Sequence, residues 1–294
     1  MNCTKKTYVG GVVMPLHCAC INPNTAILEH MLNVSQEYQA CDDQMRKPVH
    51  YAACSSSPAN LKKLVEKNVD TRDTDMHKNS PLNYACQAGR PENVEYLCED
   101  GRSIIGAKNK EGYGAVHFAA RYNNLDCLKI LIEKGQADKN QTGPGSQTPM
   151  HLAAAYNSIE VADWLCENGG NVTKKDKFGR TALVLSVMNG NYKITNLLLK
   201  RGAPYNLPDK SKNYPMHYAA AYGQQDILEI LMEAGADPNV MNSWNINPIT
   251  VGVLKGHLGW VKKVLSYPAV NVNCKDDNGK TLLMNSLASL SEDT

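Results

Sequence analysis

The chain has 294 residues, a formal net charge of +2, 43% apolar residues and only 6% aromatic ones. With 20% charged residues and no apolar run near 18 residues, the composition predicts a globular protein of the cell interior, cytoplasmic or nuclear, with neither direct membrane insertion nor a secretory leader. A near-neutral balance also argues against nucleic acid as a partner, because phosphate-driven binding needs a clustered basic face.

Along the chain one short phrase recurs: Pro15-Leu16-His17-Cys18-Ala19, Pro48-Val49-His50-Tyr51-Ala52, Pro81-Leu82-Asn83-Tyr84-Ala85, Ala115-Val116-His117-Phe118-Ala119, Pro149-Met150-His151-Leu152-Ala153 and Pro215-Met216-His217-Tyr218-Ala219. Weaker copies at Ala182-Leu183-Val184, Pro248-Ile249-Thr250 and Leu282-Leu283-Met284 keep the frame, with successive intervals of 33, 33, 34, 34, 33, 33, 33 and 34 residues. A fixed period of this length marks a repeat architecture. Six residues before each later anchor stands a turn former: Asp42, Asp75, Asn109, Gly143, Asp176, Asp209, Asn242 and Asp276. The units are therefore about 9–41, 42–74, 75–108, 109–142, 143–175, 176–208, 209–241, 242–275 and a partial 276–294, read as one continuous domain over residues 1–294. The unit from Asp176 shows the order best: a turn (Asp176-Lys177-Phe178-Gly179), a short helix after Thr181, a break at Gly190, a second helix from Tyr192 to Lys200, and a closing Gly202-Ala203-Pro204-Tyr205-Asn206.

The period, the Pro-Leu-His helix start and the closing Gly235-Ala236-Asp237-Pro238-Asn239 together resemble the ankyrin-repeat family. The resemblance covers essentially the whole chain and implies an all-α ankyrin-repeat solenoid of stacked helix-turn-helix units with β-hairpin-like turns. The residues agree with it. Thr148 before Pro149 and Thr181 before Ala182 are capping residues, and proline at a first helical position loses no useful hydrogen bond. Alanines such as Ala52, Ala53, Ala119, Ala120, Ala153 and Ala154 allow close stacking of first helices, while Leu131, Leu165, Leu198 and Leu231 form the apolar stripe of second helices. One unit cannot bury that stripe alone, so stability is a sum over neighbours.

Ten cysteines raise the question of a metal or disulfide framework, yet the sequence holds no Cys-x-x-Cys pair and its closest spacing is Cys18-Ala19-Cys20. Cys20, Cys54 and Cys86 fall at or beside stacking positions and Cys98, Cys127 and Cys166 on second helices, which predicts buried reduced thiols. The sequons at Asn2, Asn33, Asn140 and Asn171 carry little weight without an export signal. His17, His50, His117, His151 and His217 share one repeat position, where the family uses the imidazole to tie adjacent turns together; a repeated role is a structural one. No catalytic, cofactor or metal residue is expected, and no phosphate loop, His-Glu-x-x-His or Gly-x-Ser-x-Gly is present.

By the same resemblance, function resides on the concave side, which holds the turn tips and the outer positions of first helices. In this frame the free positions lie five, four and two residues before each anchor and six and seven after it. In the fourth to eighth units they hold Tyr113, Arg121 and Tyr122; Gln147, Ala155 and Tyr156; Phe178, Arg180, Met188 and Asn189; Asn213, Ala221 and Tyr222; and Trp244, Ile246, Leu254 and Lys255. Tyr122, Tyr156 and Tyr222 share one register position, and Phe178 and Trp244 another. Exposed Tyr, Trp and Arg are the usual stuff of binding hot spots, each worth about 2 kcal/mol or more on truncation. The alternative is that these rings pack on one another and only stiffen the stack. Tyr51, Tyr84 and Tyr218 lie three residues past their anchors, a semi-buried position, and are expected in the core.

Departures from the pattern also carry expectations. Turn glycine stands only at Gly112, Gly179 and Gly279, and Met45, Lys78, Ser146, Lys212 and Asn245 replace it in less ideal turns. Lys47, Gly114, Tyr214 and Asn247 replace the capping Thr, each at about 1 kcal/mol. Residues 136–147, with Gly143-Pro144-Gly145, predict an irregular loop. The first unit lacks a turn and the last lacks a polar cap, which predicts a parent chain that continues into further repeats or domains. The function expected is a non-catalytic scaffold for a protein or peptide on the concave face. The alternative is the recruiting arm of a larger protein, since such arrays occur in tankyrase-like ADP-ribosyltransferases, phosphatase regulatory subunits and ankyrin-bearing cation channels. Asn206, Asn239 and Asn273 resemble the asparagine closing the family's Gly-Ala-Asp-x-Asn phrase and are candidates for hydroxylation.

Overall fold

A computed structural model describes residues 13–34, 38–281 and Met284. The chain divides into two compact units, Met1–Pro144 and Gly145–Thr294. The first contains α1 (Pro15–Ile21), α2 (Thr25–Val34), α3 (Pro48–Ala53), α4 (Ala59–Glu66), α5 (Pro81–Ala88), α6 (Pro91–Glu99), α7 (Ala115–Arg121) and α8 (Leu125–Glu133). The second contains α9 (Pro149–Ala155), α10 (Ile159–Glu167), α11 (Ala182–Met188), α12 (Tyr192–Lys200), α13 (Pro215–Ala221), α14 (Gln225–Glu233), α15 (Pro248–Leu254) and α16 (Leu258–Leu265). Within each unit first helices pack on first helices and second on second, as in α3 on α5 and α10 on α12. The described residues form no strand, only an isolated bridge between Lys275 and Thr281. Leu282 and Leu283, the expected start of a ninth first helix, lie outside the described residues, as does Cys3.

Small side chains make the stacking possible. Ala52, Ala53, Ala85, Ala119 and Ala120 in the first unit and Ala153, Ala154, Ala219 and Ala220 in the second are fully buried, letting backbones approach. Leu64, Leu97 and Leu131 in the first unit and Leu165, Leu198 and Leu231 in the second fill the layer behind them, and Trp260 closes the last described layer. Burying such side chains contributes about 1.5–3 kcal/mol each.

Stacking places the carbonyls at the ends of first helices inside the protein, where they need donors. The following repeat of the same unit supplies them. Asn60 Nδ2 donates to the carbonyls of Cys20 and Asn22 at 3.0 and 2.7 Å, and Asn93 Nδ2 to those of Ala53 and Ser55, both at 2.9 Å. Asn124 serves Cys86, Asn191 serves Ala154, and His257 Nε2 meets the Ala221 carbonyl.

The turns follow from their first residue. Asp176 Oδ1 accepts the backbone N–H of Phe178 and of Arg180, both at 2.9 Å, while the Asp176 N–H donates to the Arg180 carbonyl. Asp42, Asp75, Asp209, Asn242 and Asp276 make the same closed turn. A carboxylate or amide two bonds from the backbone is the side chain that bonds its own turn this way. Gly143 has no such oxygen, and a Cβ there would stand 2.9 Å from His117 Nε2. A single 3-10 turn, Pro144–Ser146, follows it, the irregularity expected of this loop. The position expected to want glycine has positive φ in every described turn: 93° at Gly112 and 85° at Gly179, but also 58° at Met45, 60° at Lys78, 58° at Lys212 and 51° at Asn245. Non-glycine residues hold that conformation at a cost.

The capping expectation needs correction at Asn247. Asn247 is itself a good cap, its Oδ1 accepting the Thr250 N–H at 3.1 Å. Lys47, Gly114 and Tyr214 place no side chain on the helix, yet their own N–H groups donate to Nδ1 of His50, His117 and His217, and the histidine N–H returns to their carbonyl. That reciprocal bond, supplied from the third helical residue, satisfies the N–H of the cap residue itself, as it also does at Thr148. Thr181 Oγ1 accepts the Val184 N–H, whereas Thr148 Oγ1 meets His151 Nδ1 at 2.9 Å.

Candidate functional site

The side on which sequence places the candidate site is made, in each unit, of turn tips and first helices. Turn tips are held edge to edge by backbone bonds. In the first unit Met76 N–H donates to Gln44 O and Lys110 N–H to His77 O, both at 2.8 Å. In the second, Lys210 N–H donates to Phe178 O at 3.0 Å and Ser243 N–H to Ser211 O at 2.9 Å. Histidines tie the helix starts to the next turn: Nε2 of His17, His151 and His217 meets the carbonyls of Ala40, Arg180 and Ile246 at 3.1, 3.1 and 2.9 Å. Because Nδ1 already accepts an N–H, Nε2 carries the proton. Burial lowers the pKa of all three, and His217 reaches about 4. Their role is structural, as their repetition implies.

A second tie links turn to helix. The hydroxyls of Tyr51, Tyr84 and Tyr218 donate to Oδ2 of Asp42, Asp75 and Asp209 at 2.6, 2.8 and 2.6 Å. Burial and the carboxylate bond both push these phenols up. Burial alone would raise Asp42, but the bonds from Tyr51 and Arg46 outweigh it and hold the carboxyl low. The three tyrosines are half-buried, as expected of their position.

Of the expected site residues, Tyr122, Tyr156, Phe178, Tyr222 and Trp244 are 44–52% exposed, and Asn189 and Lys255 are exposed with them. Tyr113, Arg121, Gln147, Arg180, Met188 and Ile246 are half-buried. In the first unit Tyr113 packs edge-on against His117 and Phe118, the Arg121 guanidinium lies over the Tyr122 ring at 5.7 Å, and Gln87 Nε2 reaches the Tyr122 hydroxyl at 3.4 Å. Gln87 stands six residues after Pro81, a free position of the frame, but in the third repeat, whereas the sequence-based set is drawn from the fourth to eighth. In the second unit two cations lie over the Phe178 ring, Lys177 Nζ at 4.8 Å and Arg180 Cζ at 4.5 Å from its centroid. Arg180 also holds Asp176 at 2.7 Å and contacts Met188 Sδ at 3.8 Å. Asn189 Nδ2 caps the Leu185 carbonyl at 2.8 Å. Phe178, Arg180 and Met188 thus form one cluster, while Ile246 contributes its carbonyl to His217. Lys177 and Lys210, at the turn position five before the anchor, were overlooked although the frame itself points to them.

All cysteines among the described residues are free thiols. Burial raises Cys20 and Cys127 to about 12 and Cys86 well above its usual range; Cys18 and Cys41 are exposed. Asn206 and Asn273 are exposed, and Asn239 bridges to the following loop through the Ala269 carbonyl and the Asn271 N–H. No helix among the described residues is long and apolar enough to cross a membrane.

Comparison with known proteins agrees with this geometry. A family model described as ankyrin repeats in three copies matches residues 16–105, 102–176 and 169–242. A Caenorhabditis elegans poly [ADP-ribose] polymerase tankyrase is 36% identical over 196 residues, 64% of this chain but 8% of that protein. The Mus musculus B-cell lymphoma 3 protein homolog is 28% identical over 149 residues, 49% of this chain and 33% of that one. A Monodelphis domestica cyclin-dependent kinase inhibitor 2A is 38% identical over 106 residues, 36% of this chain and 61% of that one. The chain thus spans less than two thirds of the length of these relatives. The crystal structure of the ankyrin repeat domain of Bcl-3 superposes with a TM-score of 0.59 at 23% identity, covering 81% of this chain and 93% of that domain, which supports the fold alone. The family match, the closed turns and the stacked helix pairs agree, and the chain belongs to the ankyrin-repeat family.

Proposed function

We propose that the protein is a non-catalytic scaffold of the cell interior that binds a protein or peptide on the concave face made by its turn tips and first helices. The observation that carries this reading is the repeated, half-exposed ring: Tyr122, Tyr156 and Tyr222 at one register position, Phe178 and Trp244 at another. Aromatic side chains bring large contact area at small entropic cost, and they concentrate where binding energy does. Tyr113, Arg121, Gln147, Arg180, Met188, Asn189, Ile246 and Lys255 complete the proposed contact set. Affinity capture with the native chain beside a Tyr122→Ala, Tyr156→Ala, Trp244→Ala variant tests it, with the fold of both checked by circular dichroism. Partners lost from the folded variant support the reading. Identical capture by both, or loss of melting temperature with intact binding, refutes it.

A second reading, that this array is the recruiting arm of a larger protein, draws support from matches that occupy 8% of the tankyrase and 14% of a Homo sapiens transient receptor potential cation channel. Immunoblotting native cells with an antibody to the array decides it. A single species near 32.3 kDa contradicts this second reading; a much larger one supports it.

A further inference from the structure

Charge is segregated in the second unit. The carboxylates of residues 145–275 sit on α10 (Glu160, Asp163, Glu167), on α14 (Asp226, Glu229, Glu233) and, at Asp237, in the loop after α14, apart from two in the turns. Both are engaged within their own repeats: buried Asp176 accepts at Oδ2 from Arg180, and half-buried Asp209 at Oδ2 from the Tyr218 hydroxyl. The side formed by turn tips and first helices therefore presents Lys177, Lys210, Lys212 and Lys255, all exposed, with no exposed carboxylate until Asp277 in the next turn, which Asn245 binds. The ion pairs described in this unit are Arg180 to Asp176, Arg201 to Asp163 and Glu167, and Lys263 to Glu229. The four lysines stand outside them. Turn tips of the first unit differ, with exposed Asp43 and Glu111 offsetting exposed Lys78 and Lys110. Backbone bonds from Lys210 to Phe178 and from Ser243 to Ser211 hold the second unit's tips in a row, so cations and rings share a pre-organised strip.

Resting on the binding function proposed above, we infer that this strip takes an acidic, extended polypeptide segment carrying aromatic or aliphatic side chains. Its carboxylates meet Lys177, Lys210 and Lys212, and its apolar side chains lie against Phe178, Tyr222 and Trp244. Uncompensated lysines at a rim act chiefly on encounter rate and salt dependence, whereas rings set the dissociation rate. Phe178, already gripped by Lys177 and Arg180, is an ordered anchor that needs little further immobilisation.

The test titrates the whole chain, by calorimetry, with a random copolymer of glutamate and tyrosine, with one of lysine and tyrosine, and with heparin. Three variants accompany it: Lys210→Glu with Lys212→Glu, Tyr222→Ala with Trp244→Ala, and, as control on α12, Lys193→Glu with Lys200→Glu. Binding of the glutamate copolymer should weaken on the order of tenfold in each of the first two variants and less than about twofold in the control, the response of a site built from both rings and rim charges. No binding of the glutamate copolymer, or binding indifferent to the Lys210 and Lys212 reversal, overturns the inference. Heparin binding that depends on those lysines but not on the rings overturns it in favour of a simple polyanion site. Equal binding of the lysine copolymer, lost with Tyr222 and Trp244, removes the acidic preference while leaving the polypeptide-binding function intact. If no copolymer binds and the ring variant captures the same cellular partners as the native chain, both proposals fall together.

Discussion

Acidification should loosen the second unit through His217. Its ring is 2% exposed, Nδ1 accepts the Tyr214 N–H at 3.2 Å, and Nε2–H donates to Ile246 O at 2.9 Å. A second proton must enter at Nδ1, where it faces an N–H donor, so protonation forfeits the helix-start bond and leaves a cation out of water. Burial accordingly lowers the pKa from 6.5 to about 4, against the opposing Ile246 bond and Asp209 charge. The unfolded chain takes up this proton near pH 6.5 and the folded chain not until about 4. Stability from His217 is thus complete above 6.5, declines as pH falls through this interval, and levels off below it. At 1.36 kcal/mol per pH unit the separation amounts to about 3 kcal/mol. Urea unfolding of the native chain and of His217→Gln, from pH 7.5 to 4, should show the native advantage shrinking by about that amount. A proton NMR titration placing the His217 midpoint near 6.5, or parallel pH profiles for the two proteins, would refute the reasoning.

Three further perturbations probe the ties within the units. Asn93→Ala strips the donor from the Ala53 and Ser55 carbonyls and should cost about 1–3 kcal/mol in urea unfolding, the penalty for buried acceptors left without partners; a loss below about 0.5 kcal/mol contradicts the donor role. Tyr218→Phe leaves Asp209 Oδ2 with Asn213 at 3.3 Å, whereas Tyr51→Phe leaves Asp42 with Arg46 at 2.6 Å. The first should therefore destabilise more than the second, and the reverse order counts against the account. Lys78→Gly, at φ 60°, should raise stability by about 1 kcal/mol in thermal unfolding by removing left-handed strain, and an unchanged or lower midpoint argues against that strain.

Much of this architecture was legible in the sequence because the chain carries its own internal alignment. The period and turn formers located helix starts closely: the second helix read as Tyr192 to Lys200 has those bounds in the structure. Ties that cross from one repeat to the next were less visible, since Asn60 and Cys20 are 40 residues apart and nothing local joins them. Yet one such signal was there to read. Tyr51, Tyr84 and Tyr218 stand nine residues after Asp42, Asp75 and Asp209; after Asn109 and Asn242 the same position is Phe118 or Val251, neither with a hydroxyl. The capping expectation was incomplete for a related reason. Lys47, Gly114 and Tyr214 place no side-chain cap, but the bond to their own N–H comes from a histidine three residues on, while Asn247 caps with its amide oxygen. The rings of the candidate site followed from the frame. Their surroundings did not, because the cations flanking Phe178 and the segregation of charge between helix layers emerge only when the layers are stacked.

The most direct test of the central claim is amide hydrogen exchange on the free chain and on its complex with a captured partner. Protection on binding should concentrate in the turn tips around Phe178, Ser211 and Trp244 and at the ends of α9, α11 and α13. Protection confined to the second helices α10, α12, α14 and α16 would contradict the claim and move the working surface to the opposite layer.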